Sequence, residues 1–169
     1  RARGKFFDYL GFDVFYRCEG QGPTLLLVHG YPFNSYDWAA LWPALTARFR
    51  VVAPDMMGMG FSAKPSAYRY SVHDHADMHE ALLADLGVRS AHVLAHDLGD
   101  SVAQELLARN VFDEQADGAW TIESITWLNG GLFAEAYTPR VMQKLMSGTP
   151  LGDLMSPLQG SALSRRILE

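Results

Sequence analysis

Short apolar runs alternate along this chain with segments of helical periodicity, and that alternation predicts its elements. Lys5 to Leu10 and, after Gly11, Phe12 to Cys18 alternate aromatic with polar side chains, as a hairpin pair does. Gly20-Gln21-Gly22-Pro23 makes a turn, and Thr24-Leu25-Leu26-Leu27-Val28 is continuously apolar, the pattern of a central strand covered on both faces. Trp38 to Arg48 reads as a helix capped near Ser35 or Asp37, and Phe49 to Ala53 as a strand ended by Pro54-Asp55. Ser71, with an acid at Asp74, opens a helix that runs to Leu86 and stops at Gly87. Ala91 to Ala95 and Ile122 to Leu128 are two more apolar strands, with a helix from Ser101 to Arg109 between them. Strands alternating with helices predict an α/β fold, a mostly parallel sheet with helices on both faces. From Leu132 the pattern changes to helical pieces broken by Pro139, Gly148, Pro150 and Pro157, with Met142, Leu145, Met146, Leu154 and Met155 among them. The expected division is therefore 1–131 as the core and 132–169 as the start of a helical cap. Ordinary helical core is the plainer reading of that tail.

The chemistry concentrates at Ala95-His96-Asp97-Leu98-Gly99. An apolar strand that ends abruptly and turns into a helix forces a sharp bend, and the residue at its tip is pushed into view. In the Gly-x-Ser-x-Gly form of this turn the tip is a serine. Here small residues flank the tip at Ala95 and Gly99, and the tip is Asp97. A carboxylate attacks amides and esters poorly, but it displaces a leaving group at a saturated carbon, giving an enzyme ester that water later hydrolyses. The helix beginning near Gly99 points its positive end at Asp97 and favours the charged form.

Composition narrows the class. The 169 residues, 49% hydrophobic and 20% charged, have the balance of a globular domain with a sizeable core. A net charge of -5 with scattered Lys and Arg argues against nucleic acid as a partner. The single cysteine, Cys18, sits mid-strand, where an inert buried thiol is expected, and its solitude suits a reducing compartment such as the cytoplasm. No run reaches the length of a membrane span, so a membrane is not an expected partner. The chain opens on Arg1 and closes at Ile167-Leu168-Glu169 inside a helical pattern, so a piece of a longer polypeptide is expected.

Several segments together resemble the α/β-hydrolase superfamily. His29-Gly30-Tyr31-Pro32 resembles its oxyanion-hole loop, and Asp55-Met56-Met57-Gly58-Met59-Gly60-Phe61-Ser62 its Asp-x-x-Gly-x-Gly-x-Ser segment. His96-Asp97-Leu98-Gly99 is similar to the elbow of the branch that contains epoxide hydrolases and haloalkane dehalogenases. Ser35-Tyr36-Asp37-Trp38, Phe61-Ser62-Ala63-Lys64-Pro65, the run from Asp97 to Leu107 and Leu128-Asn129-Gly130-Gly131 look especially like the mesoderm-specific-transcript group within that branch. The resemblance is clearest from Phe12 to Gln143.

The resemblance implies an α/β-hydrolase fold and a small hydrophobic electrophilic substrate; no cofactor and no metal are expected, and the protein is expected as a monomer or homodimer. Asp97 would be the nucleophile, with backbone N–H groups of Tyr31 and Leu98 as the oxyanion hole. His29, Gly30, Pro32, His96, Asn129 and Tyr137 would surround the substrate pocket, His29 and His96 as structural supports. Family dehalogenases grip the halide with a tryptophan after the nucleophile and usually an asparagine in the loop; Leu98 and Tyr31 occupy those positions here. Family epoxide hydrolases use cap tyrosines to protonate the ring oxygen, and Tyr137 is the tyrosine of the expected cap, although they too usually carry tryptophan at the Leu98 position. Epoxide opening is thus the leading expectation, and haloalkane or haloacid dehalogenation the alternative.

Chain order in this fold is nucleophile, acid, histidine. His29, His73, His75, His79, His92 and His96 all precede Asp97, so the catalytic base is not in this chain. Asn129 stands where some dehalogenases carry their acid, and asparagine can orient an imidazole without supplying charge. A non-catalytic ligand-binding or scaffolding protein of hydrolase fold is therefore the reading from another class. His75 and His79, four apart, have the spacing of two zinc ligands on a helix, but they share their face with Val72, Leu82, Leu83 and Leu86. A hydrogen-bonded core pair is the expected reading. Asp55 is expected to bond loop amides at a strand end.

Overall fold

Leu26, Leu27 and Val28 are completely buried, and that burial places their strand at the middle of the sheet. In the computed structural model, residues 4–112 and 120–131 are described. The chain divides into two compact units, Arg1–Leu132 and Phe133–Glu169, and the described residues all belong to the first. The expected cap, with Tyr137, lies outside the described residues.

Strands β1 (Lys5–Tyr9) and β2 (Phe12–Glu19) form an antiparallel hairpin turned by Leu10 and Gly11, both at positive φ. Then come β3 (Thr24–Val28), a 3₁₀ turn at Ser35–Trp38, helix α1 (Trp42–Thr46) and β4 (Arg50–Pro54). Helix α2 (Val72–Asp85) precedes β5 (Ser90–His96), helix α3 (Leu98–Phe112) and β6 (Thr121–Leu128). The sheet order is β1-β2-β4-β3-β5-β6. The pairs β4–β3, β3–β5 and β5–β6 are parallel; the two involving β2 are antiparallel.

Alternate residues of each central strand enter two separate cores, which is what helices on both faces require. Leu26, Val28, Val52, Val93 and Ala95 face Met78, Leu82, Val102 and Leu106 of α2 and α3. Leu25, Leu27, Val51 and Ala53 face Trp38 and Trp42 on the opposite side. This is the α/β arrangement expected from the strand–helix alternation.

The helix expected over Trp38–Arg48 is instead split. Asn34, not Ser35 or Asp37, caps the 3₁₀ turn by accepting the Tyr36 N–H. Helix α1 begins at Trp42 with proline in its first positions. The cause is Pro43: it lacks an N–H and its ring crowds the preceding turn, so it is tolerated at a helix start but not mid-helix. The α2 boundaries match the sequence reading, with the Ser71 hydroxyl accepting the Asp74 N–H and Gly87 at positive φ after the last turn. Helix α3 starts at Leu98, three residues before the expected Ser101, because the Asp97 elbow leads straight into it.

Candidate active site

Three parallel strands end at one edge of the sheet, and their C-terminal ends carry the candidate residues. Open α/β sheets bind ligands outside such ends. Asp97 follows β5 directly and adopts φ +53°, the left-handed region that non-glycine residues rarely occupy. Aspartate tolerates that region better than most residues, and the surroundings hold it there. The Asp97 N–H donates to the Leu128 carbonyl at the end of β6 at 3.1 Å, and its own carbonyl accepts the Asp100 N–H at 3.0 Å.

The Asp97 carboxylate is equally constrained. Its Oδ1 accepts the Tyr31 N–H at 3.0 Å and the Leu98 N–H at 2.7 Å. These are the two amides expected to form an oxyanion hole, and they converge on one oxygen. Oδ2 accepts no hydrogen bond among the described residues. Asp97 also stands at the N-terminus of the 15-residue α3, whose dipole favours negative charge there.

Glycines make this convergence sterically possible. A Cβ on Gly30 would stand 2.6 Å from the Asp97 Cβ and 3.0 Å from its Oδ1. One on Gly99 would stand 2.8 Å from the His29 carbonyl oxygen, so Gly99 lets α3 approach the end of β3. Gly30→Ala is expected to displace the carboxylate and to speed hydrogen–deuterium exchange in the peptide containing Asp97 by about tenfold, with little loss of secondary structure. Unchanged exchange there would contradict the tight packing.

The other expected pocket residues fall into distinct places. His29 is wholly buried behind the loop: Nδ1 donates to the Gly30 carbonyl at 2.8 Å and Nε2 accepts the Met56 N–H at 2.9 Å. Burial holds its pKa below the usual histidine value, with His75 and His96 adding to the effect. It supports the loop and has no ring nitrogen to offer a substrate. Pro32 is exposed and follows a cis peptide bond from Tyr31. His96, half-buried at the tip of β5, meets the Trp38 ring edge-to-face at 6.5 Å. Asn129, exposed and at φ +59°, directly follows Leu128, whose carbonyl holds Asp97.

Two buried carboxylates organise the loops around these residues. Asp55, wholly buried, accepts the Ser35 N–H at Oδ1 and the Phe61 N–H at Oδ2, each at 2.8 Å. That is the loop-bonding role expected for it, and it ties the loop after β3 to the loop after β4. Asp100, also wholly buried, had no expected role. An acid in the first turn of a helix is an ordinary sequence signal, and nothing local betrays its burial. Burial also raises the Asp37 carboxyl, opposed by His96 and reinforced by Asp55 and Asp97.

The histidine pair of α2 is core. His79 is fully buried with Nδ1 2.6 Å from the His75 carbonyl, and His75 is 4% exposed. Among the described residues no group of three or more His, Cys, Asp or Glu side chains is placed to hold a metal ion. Cys18 is half-buried in β2. No helix among the described residues is long and apolar enough to cross a membrane.

The family profile described as alpha/beta hydrolase fold matches residues 23–154. The mesoderm-specific transcript homolog protein of Bos taurus is 42% identical over 165 residues, covering 94% of this chain and 48% of that protein. The chain thus spans about half the length of the curated relatives it matches. Among solved structures, the epoxide hydrolase CorEH without ligand gives a TM-score of 0.71 at 28% identity, over 91% of this chain and 55% of its own. The protein described as "putative ancestral haloalkane dehalogenase AncHLD2" gives 0.73 at 26% identity, over 89% and 53%.

Proposed function

We propose, for a chain that belongs to the alpha/beta hydrolase fold family, that Asp97 is the nucleophile of a hydrolase working through a covalent ester. The observation that carries this reading is the convergence of the Tyr31 and Leu98 amides on Oδ1 alone. Oδ1 is held, and Oδ2 remains to attack. Oδ2 forms a bond to an electrophilic carbon, the bond from that carbon to its leaving group breaks, and Oδ1 becomes the carbonyl oxygen of the ester. Water then adds to the ester carbon, and the negative charge collects on Oδ1, where two N–H donors already stand. Donors preset for developing charge are worth about 3–4 kcal/mol each in acyl-transfer sites. Collapse releases the alcohol and restores the carboxylate with one oxygen from water.

An epoxide is the substrate class we favour. Opening its ring keeps the leaving oxygen tethered to the product, and that oxygen must take a proton; we assign the donor to the expected cap, where Tyr137 lies outside the described residues. A departing halide would need donors, and Leu98 brings an aliphatic side chain to the position beside the nucleophile. CorEH, an epoxide hydrolase by name, is among the similar folds, and so is a haloalkane dehalogenase; dehalogenation is the alternative. The base that activates water is a further proposal. No histidine follows Asp97, and burial lowers the pKa of His29 and His79 with their ring nitrogens turned into the core. We assign it to a part of the protein beyond this chain.

Turnover of a small epoxide by the intact protein in ¹⁸O-water tests the reading. The peptide containing Asp97 is expected to gain heavy oxygen, because water attacks the ester at the enzyme carbon. Diol formed with label only in the product would exclude the covalent route. Label at Asp97 with a bromoalkane but not with the epoxide would select the dehalogenase alternative, and turnover of neither would favour a binding protein.

A further inference from the structure

The end of β6 is locked to the elbow by a closed ring of hydrogen bonds. The Asp97 N–H donates to the Leu128 carbonyl, the Leu128 N–H donates to Asp100 Oδ1 at 3.4 Å, and the Asp100 N–H donates to the Asp97 carbonyl. One side chain, that of Asp100, closes the ring. It is wholly buried, and Gly130 lies against it so closely that any Cβ there would overlap the carboxylate. Its Oδ2 makes no well-formed hydrogen bond among the described residues, although the Gly130 amide lies close enough to favour its charge.

We propose that Asp100 is a positioning residue that holds the Asp97 backbone in its attacking conformation through the end of β6. This rests on the reading of Asp97 as nucleophile. A non-glycine residue at positive φ keeps that conformation only where its surroundings over-determine it. At Asp97 two of the determinants are backbone bonds of the ring: its N–H to Leu128 and its C=O from Asp100. If Leu128 loses its acceptor, the β6 end is free to drift from β5, and the Asp97 N–H loses its partner. The carboxylate would then move relative to the Tyr31 and Leu98 amides. A buried acid is an expensive choice for a purely structural contact, since burying charge is costly unless it is well paired. Burial raises the Asp100 pKa, and the Leu128 and Gly130 amides oppose that rise. A short carboxylate nevertheless suits this place. It reaches a backbone N–H one strand away, and either oxygen can serve.

The test compares Asp100→Ala and Asp100→Asn in the intact protein by two readouts. Hydrogen–deuterium exchange reports the peptides containing Asp97 and Leu128, and epoxide-dependent ¹⁸O entry at Asp97 reports the chemistry. Asp100→Ala is expected to speed exchange in both peptides by roughly tenfold or more as local opening becomes easier. It should also lower the saturating labelling rate by about 10²-fold. The half-saturating epoxide concentration should stay within about threefold, because positioning is lost and binding is not. Asp100→Asn keeps an oxygen for the Leu128 N–H and is expected to restore both readouts most of the way. Native exchange and a native labelling rate in Asp100→Ala would overturn the proposal, as would Asp100→Asn damaged as badly as Asp100→Ala. Should Asp100→Ala not fold, Gly130→Ala, which crowds the same carboxylate, decides by the same readouts. If the wild-type protein leaves Asp97 unlabelled, the nucleophile reading fails, and the exchange comparison alone decides for or against the clamp.

Discussion

Asp97→Asn is expected to abolish label entry and turnover while leaving the fold intact. Removing a nucleophile from a working constellation costs on the order of 10⁴-fold or more in kcat. Asparagine is the informative replacement for two physical reasons. It shares with aspartate a tolerance for the left-handed region, so φ +53° adds no new strain, whereas alanine there would cost about 1–2 kcal/mol. Its amide oxygen also still accepts the Tyr31 and Leu98 N–H groups that now hold Oδ1. Stability should therefore change by no more than about 1 kcal/mol, the worth of a charge-assisted over a neutral bond. Steady-state turnover and thermal unfolding of the same sample separate the two effects. An active Asp97→Asn enzyme would reject the nucleophile. An inactive but badly unfolded one would show that Asp97 is chiefly architectural.

The elbow was legible in the sequence because its signals are local. An apolar strand, small flanking residues and a helix within a few positions leave one geometry for Asp97. The central strands were legible for a similar reason: Thr24–Val28 has no polar face to turn to water. Helix α1 was misplaced because periodicity around Trp38 and Trp42 outweighed Pro43, although both tryptophans do reach the same core. The partnership of Asp97 with Tyr31, 66 residues away in sequence, is not a local property; only the family resemblance suggested it. Asp55 and Asp100 show the limit most plainly. Both look like ordinary acids near element ends, at a strand end and in a first helical turn, yet each is wholly buried. Their partners, Ser35 and Phe61 for one and Leu128 for the other, are joined to them by the sheet order rather than by spacing.

Mild acid is expected to destabilise the fold, and the cause is its buried histidines. Burial pulls the His79 pKa down to about 3 and lowers those of His29 and His75. Unfolded histidine takes a proton near pH 6.5, so below that value the unfolded chain binds protons that the folded one refuses. Stability is then full above about pH 6.5 and falls as pH drops toward the folded values. A histidine held near 3, as His79 is, costs about 2 kcal/mol at pH 5, and the lowered values of His29 and His75 act in the same direction. Opposing groups are few: Asp74 favours charge on His75, Asp55 favours it on His29, and the raised carboxyls of Asp37 and Asp100 gain in acid. His79→Leu removes the titrating group from a site surrounded by core; the Nδ1 bond to the His75 carbonyl is lost at both pH values alike, and Nε2 has no hydrogen-bond partner among the described residues. Denaturant unfolding of the intact protein at pH 7.5 and at pH 5 should show a loss of stability smaller in the variant by about 2 kcal/mol, the cost of refusing one proton. Equal losses in the two proteins would mean that His79 is protonated, or exposed, in the native state.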